Sequence, residues 1–451
     1  MSSHDSERRA IGEVALGCIC SRQNSNFLLN AIKILEQDIK TEVAGNHALY
    51  AIGRICEEDL SAVLSSLNDI YNHVYNLISN ESPFSENAVW LLSNSFDFVN
   101  TTGNDKAMAI ISSHYQNMLQ CLISRMTTLQ PEDTILRNAI FTALTNLFKI
   151  QHNEELNPLL IDFLYTRITE GVNSLYQENG NLAYEEIVGG YIVLLSEVLY
   201  SSHTFDKHRF YDFCQCALNL DPSIIQNEVY LMIARLYSYL DKTFITGILE
   251  KVISDFNPDN EQICKSILPL YTEIAIDNQI ELNNWFEYIV YSIISYIIKE
   301  STSFDMKIKL IELLGVFALS SRSKFIDYIP TCVQMSNYVC QLERDSNPII
   351  VDKMRQKTLK MLSCIVIAVG NNSTLCETLP EIIFCLKVCI EDNNAYRNYD
   401  QECAGLIIDL YNAFQTNEVK DSVFRRFVSE IEIYNTVEKS LINQLKDVLE
   451  F

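Results

Sequence analysis

The sequence has very little glycine and proline, with 13 Gly and 9 Pro in 451 residues, against averages of about 7% and 5%. Gly-rich phosphate loops, tight hairpins and multi-stranded sandwiches depend on these turn formers. Their scarcity predicts an all-α chain and disfavours the common nucleotide-binding folds. The catalytic motifs G-x-x-x-x-G-K-[ST], G-x-G-x-x-G, H-E-x-x-H and G-x-S-x-G are also missing. We therefore expect no enzyme.

Basic residues are also scarce relative to acidic ones. The chain has 34 Lys and Arg against 58 Asp and Glu, a formal charge of −24. A protein that binds the phosphate backbone of DNA or RNA needs a basic surface to displace counterions. An acidic surface instead attracts basic segments over long distances. Basic peptides are therefore the expected partner class, and direct nucleic-acid binding is not expected.

No apolar run is long enough for a membrane span. The longest, Trp285–Ile298, covers about 14 residues and contains Glu287, whereas a spanning helix needs about 20. We expect a buried helix there and no membrane insertion. The polar start, MSSHDSERRA, lacks the apolar core of a secretion signal.

Cys and His residues at the sequence spacing of a metal site are also missing. The 14 cysteines have no second Cys/His cluster at the spacing of a structural zinc site. Most lie among Leu, Ile and Val, which predicts buried, reduced thiols in the cytosol or nucleus. His203 and His208 flank Asp206, but two His and an acid in one loop are seldom a catalytic or metal site. We expect no metal and no cofactor.

What the sequence does contain is a repeat. A helix with small and branched apolar residues at i, i+3, i+4 and i+7 recurs about ten times, at spacings of roughly 34 to 51 residues. Examples are HALYAIGRIC near Ala48, NAVWLLSNSF near Ala88 and NAIFTALTNLF near Ala139. A second, more aromatic helix separates successive copies. The sequence thus predicts a right-handed α-solenoid superhelix of about ten HEAT-type pairs, running over 1–451 without internal domain boundaries.

Polar positions on two neighbouring pattern helices form candidate binding stripes. Helical spacing aligns Asn87, Trp90, Asn94 and Asp97 on one face, and Asn46, Tyr50, Arg54 and Glu57 on the preceding repeat. A Trp flanked by Asn and Asp suits the aliphatic stem and charged head of Lys or Arg. The alternative is packing in the core, where Trp and Tyr at helical spacing are more often found.

Acidic residues on later pattern helices add a further candidate surface. We expect them to form an acidic lining, although solvated helix faces also carry such charges. They are Glu197, Glu228, Glu273, Glu312, Glu402 and Asp409.

The two stripes also carry a family resemblance. HALYAIGRICE (His47–Glu57) followed by ENAVWLLSNSF (Glu86–Phe96) resembles consecutive HEAT repeats of importin-beta (karyopherin-beta), which read A-A-W-T-V-G-R-I-C-E and S-N-V-C-W-A-F-S-S-L. The segments Glu7–Ile19, Leu310–Ile329 and Cys403–Phe414 are similar to further repeats of that family in the same order. The resemblance covers the chain but only the C-terminal half of the family's length.

The resemblance implies a nuclear import receptor whose concave surface binds the basic importin-beta-binding segment of importin-alpha, or a basic cargo. Trp90, Asn87, Arg54 and Glu57 match the family's motif positions, and Tyr50 stands where the family has Trp. The family also implies Phe-Gly nucleoporin contacts and a location in cytoplasm, nucleus and nuclear pore. The repeats that contact the GTPase Ran have no counterpart here, so Ran binding is left open. The alternative is a phosphatase-type or coat-type HEAT scaffold for folded partners.

Overall fold

The structure, a computed structural model, describes residues 25–41, 45–130, 132–150, 157–177, 182–203, 205–220, 224–257, 260–277, 285–342, 347–392 and 398–449. These residues are helical with connecting turns, and no strand occurs in them. The chain divides after Met232 into two compact units. A solenoid without internal boundaries stays a prediction. The segment Glu7–Ile19 lies outside the described residues.

The first unit contains the helices α1 to α9 and the start of α10. Their bounds are α1 Ser25–Asp38, α2 Gly45–Asp59, α3 Leu67–Ser79, α4 Ser85–Thr102, α5 Asp105–Thr128, α6 Thr134–Ile150, α7 Asn157–Gln177, α8 Leu182–Ser202, α9 Lys207–Leu218 and α10 Ile224–Leu236. A 3-10 turn, Leu60–Val63, follows α2.

The second unit contains the remaining helices. Their bounds are α11 Lys242–Asp255, α12 Glu261–Ile276, α13 Phe286–Ile298, α14 Phe304–Ser321, α15 Ile329–Cys340, α16 Pro348–Val369, α17 Ser373–Glu391, α18 Asp400–Phe414, α19 Ser422–Tyr434 and α20 Lys439–Leu449. Short 3-10 segments lie at Tyr237–Tyr239, Arg322–Tyr328 and Asn417–Lys420.

In both units, helices two apart in the chain pack side by side. The even-numbered helices carry the repeated apolar pattern, and we call them the pattern row; the odd-numbered helices form the companion row. Within the first unit α2 packs on α4, α4 on α6 and α6 on α8, and in the companion row α3 packs on α5. The second unit repeats this arrangement, with α12, α14, α16, α18 and α20 in succession. This is the helix-pair repeat that the sequence predicts.

Polar side chains, rather than glycine or proline, begin many of these helices. An Asn, Asp or Ser oxygen accepts a hydrogen bond from the first turn of the helix, which satisfies a backbone N–H that has no partner within the helix. Gly103 and Gly370 end α4 and α16 at φ 64° and 62°, a left-handed conformation that glycine adopts without strain. The capping residues are Asn104, Asp206, Asn260, Ser303, Asn347, Asn372 and Asp421.

The apolar run near residues 285–298 forms a helix that is buried on one face, whereas the sequence predicted a buried helix; Tyr288 and Tyr291 are 57% and 46% exposed. Phe286, Ile289, Ile293 and Ile297 of α13 are at most 8% exposed. None of the helices in the described ranges is long and apolar enough to cross a membrane.

The prediction of buried thiols is also confirmed for most of the described cysteines, which are thiols rather than disulfides. Cys216 and Cys376 are exposed and Cys364 is intermediate, whereas Cys214, Cys385 and the others are buried. The pair Cys18 and Cys20 lies outside the described residues.

Candidate partner-binding surface

Six of the seven predicted site residues line one cleft between α2 and α4. Gly53 and Leu91 complete its lining, and its volume is about 300 Å³. Asp97 is exposed on α4 but does not reach this cleft. Residues of the two stripes therefore lie next to each other, in line with the adjacent stripes expected from the sequence. The six residues are Tyr50, Arg54 and Glu57 from α2, and Asn87, Trp90 and Asn94 from α4; we call this the Trp90 cleft.

Trp90 lies at the boundary between core and surface. Its neighbours on α4, Ala88, Leu91 and Leu92, are completely buried, but Trp90 itself is 36% exposed. Tyr50 across the cleft is half-buried. The structure therefore favours neither a fully buried core position nor a free surface position. About two thirds of the Trp90 side chain is covered by the protein, and about a third remains accessible to a partner.

A glycine allows the two helices to approach closely beneath the cleft. A Cβ on Gly53 would already touch the Cα of Leu91 at 3.4 Å, so a side chain longer than that of alanine would have to push α4 away from α2. A helix carries glycine at a penalty of about 1 kcal/mol relative to alanine. The close approach at Gly53 gives the physical reason for accepting that penalty here.

The two asparagines of the stripe hold the helices together. The Asn87 side-chain amide donates to the side-chain oxygen of Asn46 at 2.8 Å and to its backbone oxygen at 3.3 Å. The Asn94 amide donates to the Gly53 carbonyl at 3.2 Å. These groups were expected to face a ligand, but their donors are engaged within the protein. They fix the width of the Trp90 cleft.

The charged groups of the cleft form an ion pair on α2. The Arg54 guanidinium donates to the Glu57 carboxylate one turn away, and both side chains are more than a third exposed. Such exposed pairs contribute little, about 0 to 1 kcal/mol. A cation that enters beside Trp90 can therefore replace Arg54 as the partner of Glu57 at small expense.

The predicted acidic lining is only partly present. Glu197 is 2% exposed, so the prediction is wrong for this residue, which turns into the core of the first unit. Glu312 is exposed and accepts a hydrogen bond from Lys357 at 2.7 Å. Asp409 accepts one from Ser363, and burial raises the pKa of its carboxyl. Several of these acids therefore have partners within the protein.

The loop with two histidines has a structural role. The Asp206 side chain accepts hydrogen bonds from the backbone N–H groups of His208 and Arg209, so it caps α9. Across the part of the chain that the structure describes, no group of three or more His, Cys, Asp or Glu residues has the arrangement of a metal site.

Sequence reasoning did not identify a second groove, on the companion row between α7 and α9. Its volume is about 540 Å³ and its lining is mainly apolar. Tyr165 and Phe213 meet edge to face there, with ring centroids 5.6 Å apart. The Arg209 guanidinium lies 4.3 Å from the Tyr165 ring centroid and pairs with Asp162. We call this the Tyr165 groove. The sequence did not reveal it because the apolar pattern of α7 and α9 resembles that of helices that pack only in the core.

Comparison with known proteins identifies the family resemblance. Residues 213–433 match the family model described as importin subunit beta-1-like, TPR repeats. The resemblance to the importin-beta family is confirmed. No curated relative matches the sequence at a significant level.

Solved structures show that the importin-beta-like fold extends beyond residues 213–433. A crystal structure of importin beta in ammonium sulfate has a TM-score of 0.77 at 13% identity, covering 99% of this chain and 56% of that one. Yeast importin-beta (Kap95p) has a TM-score of 0.76 at 13% identity, with 99% and 55% covered. The karyopherin Kap121p bound to the extreme C-terminus of the phosphatase Cdc14p has a TM-score of 0.66 at 13% identity, with 100% and 48% covered.

These matches confirm the predicted all-α solenoid fold. The chain spans a little over half the length of the importin-beta structures. At this identity the likeness establishes the fold, and partner binding has to be argued from the residues of this chain.

Proposed function

We propose that this importin-beta-like chain is the adaptor-binding or cargo-binding part of a nuclear transport receptor. It would bind a basic segment, either the importin-beta-binding segment of importin-alpha or a basic cargo, in the Trp90 cleft. The observation that carries the proposal is the partly exposed Trp90 beside Glu57 in a cleft of about 300 Å³. The aromatic face would take an aliphatic stem and the carboxylate its cationic head.

The charge of the chain supports the same partner. A net charge of −24 speeds the approach of a basic segment and makes its binding sensitive to salt. One solved relative of similar fold, Kap121p, is described as bound to a C-terminal peptide of Cdc14p. That describes the relative, and it agrees with a fold that can bind a peptide segment.

The Tyr165 groove supports a second partner class on the companion row, Phe-Gly nucleoporin repeats. Its apolar volume of about 540 Å³ has room for a phenylalanine ring, and Tyr165 and Phe213 offer ring edges and faces to stack on. Nucleoporin contact would place the protein at the nuclear pore, between cytoplasm and nucleus. A Phe-Gly peptide should bind and a Ser-Gly peptide should not, and Thr166→Glu, at an exposed residue lining the groove, should weaken binding.

The proposal treats the chain as a binding protein without catalytic activity. Kap95p, a relative of similar fold, is described in complex with Ran. Binding of Ran by this chain stays open, because the chain spans little more than half of that relative. The competing proposal is a phosphatase-type or coat-type scaffold that binds folded proteins, for which the Trp90 cleft would have no role.

The decisive experiment is a titration with a basic peptide from the N-terminal segment of importin-alpha, at low and at physiological salt. Wild type, Trp90→Ala, Trp90→Leu and a control, Trp285→Leu, are compared. Trp285 is the other tryptophan of the chain and lies in the second unit at the start of α13. We expect tight, salt-sensitive binding that weakens about 10- to 30-fold in both Trp90 variants and is unchanged in the control. Equal binding of a neutral peptide, or indifference to Trp90, would count against this surface, and no binding at either salt would favour the scaffold.

A further inference from the structure

Three cysteine thiols meet between the C-terminal halves of α15 and α17 in the second unit. Cys340 is the last residue of α15, and Cys385 and Cys389 lie one turn apart near the end of α17. All three are 0% exposed. The Cys389 thiol donates a hydrogen bond to the Cys340 sulfur, and the two Sγ atoms are 3.6 Å apart. We call these three residues the Cys340 cluster.

The hydrogen bonds of the cluster favour Cys389 over Cys385 as the partner of Cys340. The Cys385 thiol donates to the side-chain oxygen of Asn337 at 2.8 Å, which holds it toward α15 beside Cys340. The Cys389 thiol instead points directly at the Cys340 sulfur. A disulfide bond is about 2.05 Å long, so these two sulfurs need to approach by only about 1.5 Å.

A buried arginine of the pattern row adds a positive charge to the cluster. Arg355 of α16 is 4% exposed, and its guanidinium interacts electrostatically with Cys340 and Cys389. Its Nη1 donates to Asp392 and Tyr399, but its buried Nε–H has no hydrogen-bond partner in the part of the chain that the structure describes. A cation beside a cysteine favours the thiolate, which is the form that reacts with oxidants.

Packing protects the cluster in the closed state of the second unit. The hydrogen bond with Cys340, together with burial, raises the pKa of the Cys389 thiol well above its ordinary value. An interaction with Cys385 and burial do the same for Cys340. Oxidation therefore requires a local opening. Helix ends open most readily, and α17 ends only two residues after Cys389.

We propose that Cys340 and Cys389 form a reversible disulfide when a peroxide reaches the second unit. One thiolate attacks the peroxide, which breaks the O–O bond and leaves a sulfenic acid and a hydroxide. The other thiolate attacks the sulfenic sulfur and releases a second hydroxide. The two protons lost by the thiols convert both hydroxides into water. A small thiol such as glutathione restores the reduced pair by thiol–disulfide exchange.

The disulfide would join two successive helices of the companion row. It closes a loop of 49 residues, and such a cross-link stabilises a protein mainly by restricting its unfolded chain. It would also prevent α15 and α17 from separating. We expect oxidation to raise the midpoint of thermal unfolding of the second unit by about 5 to 15 °C, and reduction to reverse the rise. The inference does not depend on binding at the Trp90 cleft.

The first measurement maps the disulfide in the full chain with an unchanged cluster. The exposed residues Cys216 and Cys376 are replaced by serine in every protein, which limits pairing between molecules. The folded, reduced protein is treated with hydrogen peroxide, the remaining thiols are alkylated in denaturant, and a tryptic digest is analysed by mass spectrometry. A sample oxidised in guanidinium chloride shows the pairing of the unfolded chain.

The digest distinguishes the two candidate partners of Cys340. Trypsin cleaves after Lys387 and so separates Cys385 from Cys389. We expect the peptide of Cys340 joined to that of Cys389 as the main disulfide of the folded protein. This preference should be lost in the sample oxidised in guanidinium chloride, because only the folded chain holds the two sulfurs together.

Variants then test the role of each group. Cys389→Ser should lose both the cross-link and the rise in unfolding temperature. The matched control Cys385→Ser, one turn away and equally buried, should keep both. Arg355→Gln should slow formation of the cross-link about tenfold, the effect of one pKa unit on the thiolate fraction. Arg355→Lys retains the positive charge and should restore most of the rate.

Three results would overturn the inference: no cross-link between Cys340 and Cys389 in the folded protein, Cys340 joined mainly to Cys385, or the full rise in unfolding temperature in Cys389→Ser. Equal rates in Arg355→Lys and Arg355→Gln would remove Arg355 from the reaction and leave it a packing role. Thermal unfolding of each reduced variant checks that the second unit is folded. The peptide map of the unchanged cluster decides the pairing even where a variant unfolds.

Discussion

Replacement of Trp90 by alanine tests the packing and the recognition at the Trp90 cleft together. An aromatic side chain of this size buries up to about 250 Å², and Trp90 is 36% exposed, so about 160 Å² is covered by the protein. At about 25 cal/mol per Å² this corresponds to about 4 kcal/mol. Alanine retains the Cβ contacts, so we expect Trp90→Ala to lower the free energy of unfolding of the first unit by about 3 kcal/mol.

The comparison with Trp90→Leu separates packing from recognition. Leucine keeps most of the apolar contact with α2 and should lower the unfolding free energy by only about 1 kcal/mol. It offers no aromatic face to a cation, so both variants should lose the cation–π contribution of about 0.5 to 2 kcal/mol together with part of the stem contact. Binding should then weaken about 10- to 30-fold in each. Urea unfolding followed by circular dichroism and titration calorimetry at low temperature measure the two effects.

Three outcomes would refute this reasoning. Unchanged stability in Trp90→Ala would mean that the ring does not pack against α2 and the rest of α4 as described. Wild-type affinity in Trp90→Leu would mean that no cation stacks on Trp90. Loss of binding in Trp90→Ala alone would also contradict the proposed contact, because it would trace to instability of the cleft rather than to the missing ring.

Three further changes test other parts of the structure. Asn94→Ala removes the hydrogen bond from the Asn94 side-chain amide to the Gly53 carbonyl. It should lower the unfolding free energy, measured by urea denaturation, by about 1 kcal/mol. Glu228→Gln should raise the stability of the free protein at pH 7. Burial raises the pKa of the Glu228 carboxyl, so the wild-type protein loses stability as the pH rises above about 4.3, the value for Glu in an unfolded chain. Thermal unfolding of wild type and Glu228→Gln should therefore coincide below that pH and diverge above it. Arg355 is 4% exposed and its guanidinium pairs with Asp392, so Arg355→Ala should lower the unfolding free energy of the second unit by about 3 kcal/mol.

The fold was predictable because its signal recurs. Each pattern helix places small and branched residues at i, i+3, i+4 and i+7, and Ala48, Ala88 and Ala139 all occupy completely or almost completely buried positions. About ten copies make the period visible even though each copy alone is ambiguous. The scarcity of glycine and proline excluded strands and hairpins, and side-chain caps such as Asn104 and Asp206 supply the helix starts.

The candidate site was predictable only in its position. Periodicity put Trp90 and Asn94 on one stripe, but it does not show what a neighbouring helix covers. Whether Trp90 is core or surface depends on the distance between α2 and α4, which Gly53 sets through a contact 38 residues away in the chain. The donor group of Asn94 is likewise engaged by that neighbour.

The acidic residues of the pattern helices show the same limitation more strongly. Glu197 and Glu228 look alike in sequence, both being acids on pattern helices. Glu197 is 2% exposed, whereas Glu228 is half-buried. The two outcomes depend on how each helix is turned toward its neighbours, which periodicity within one helix does not show.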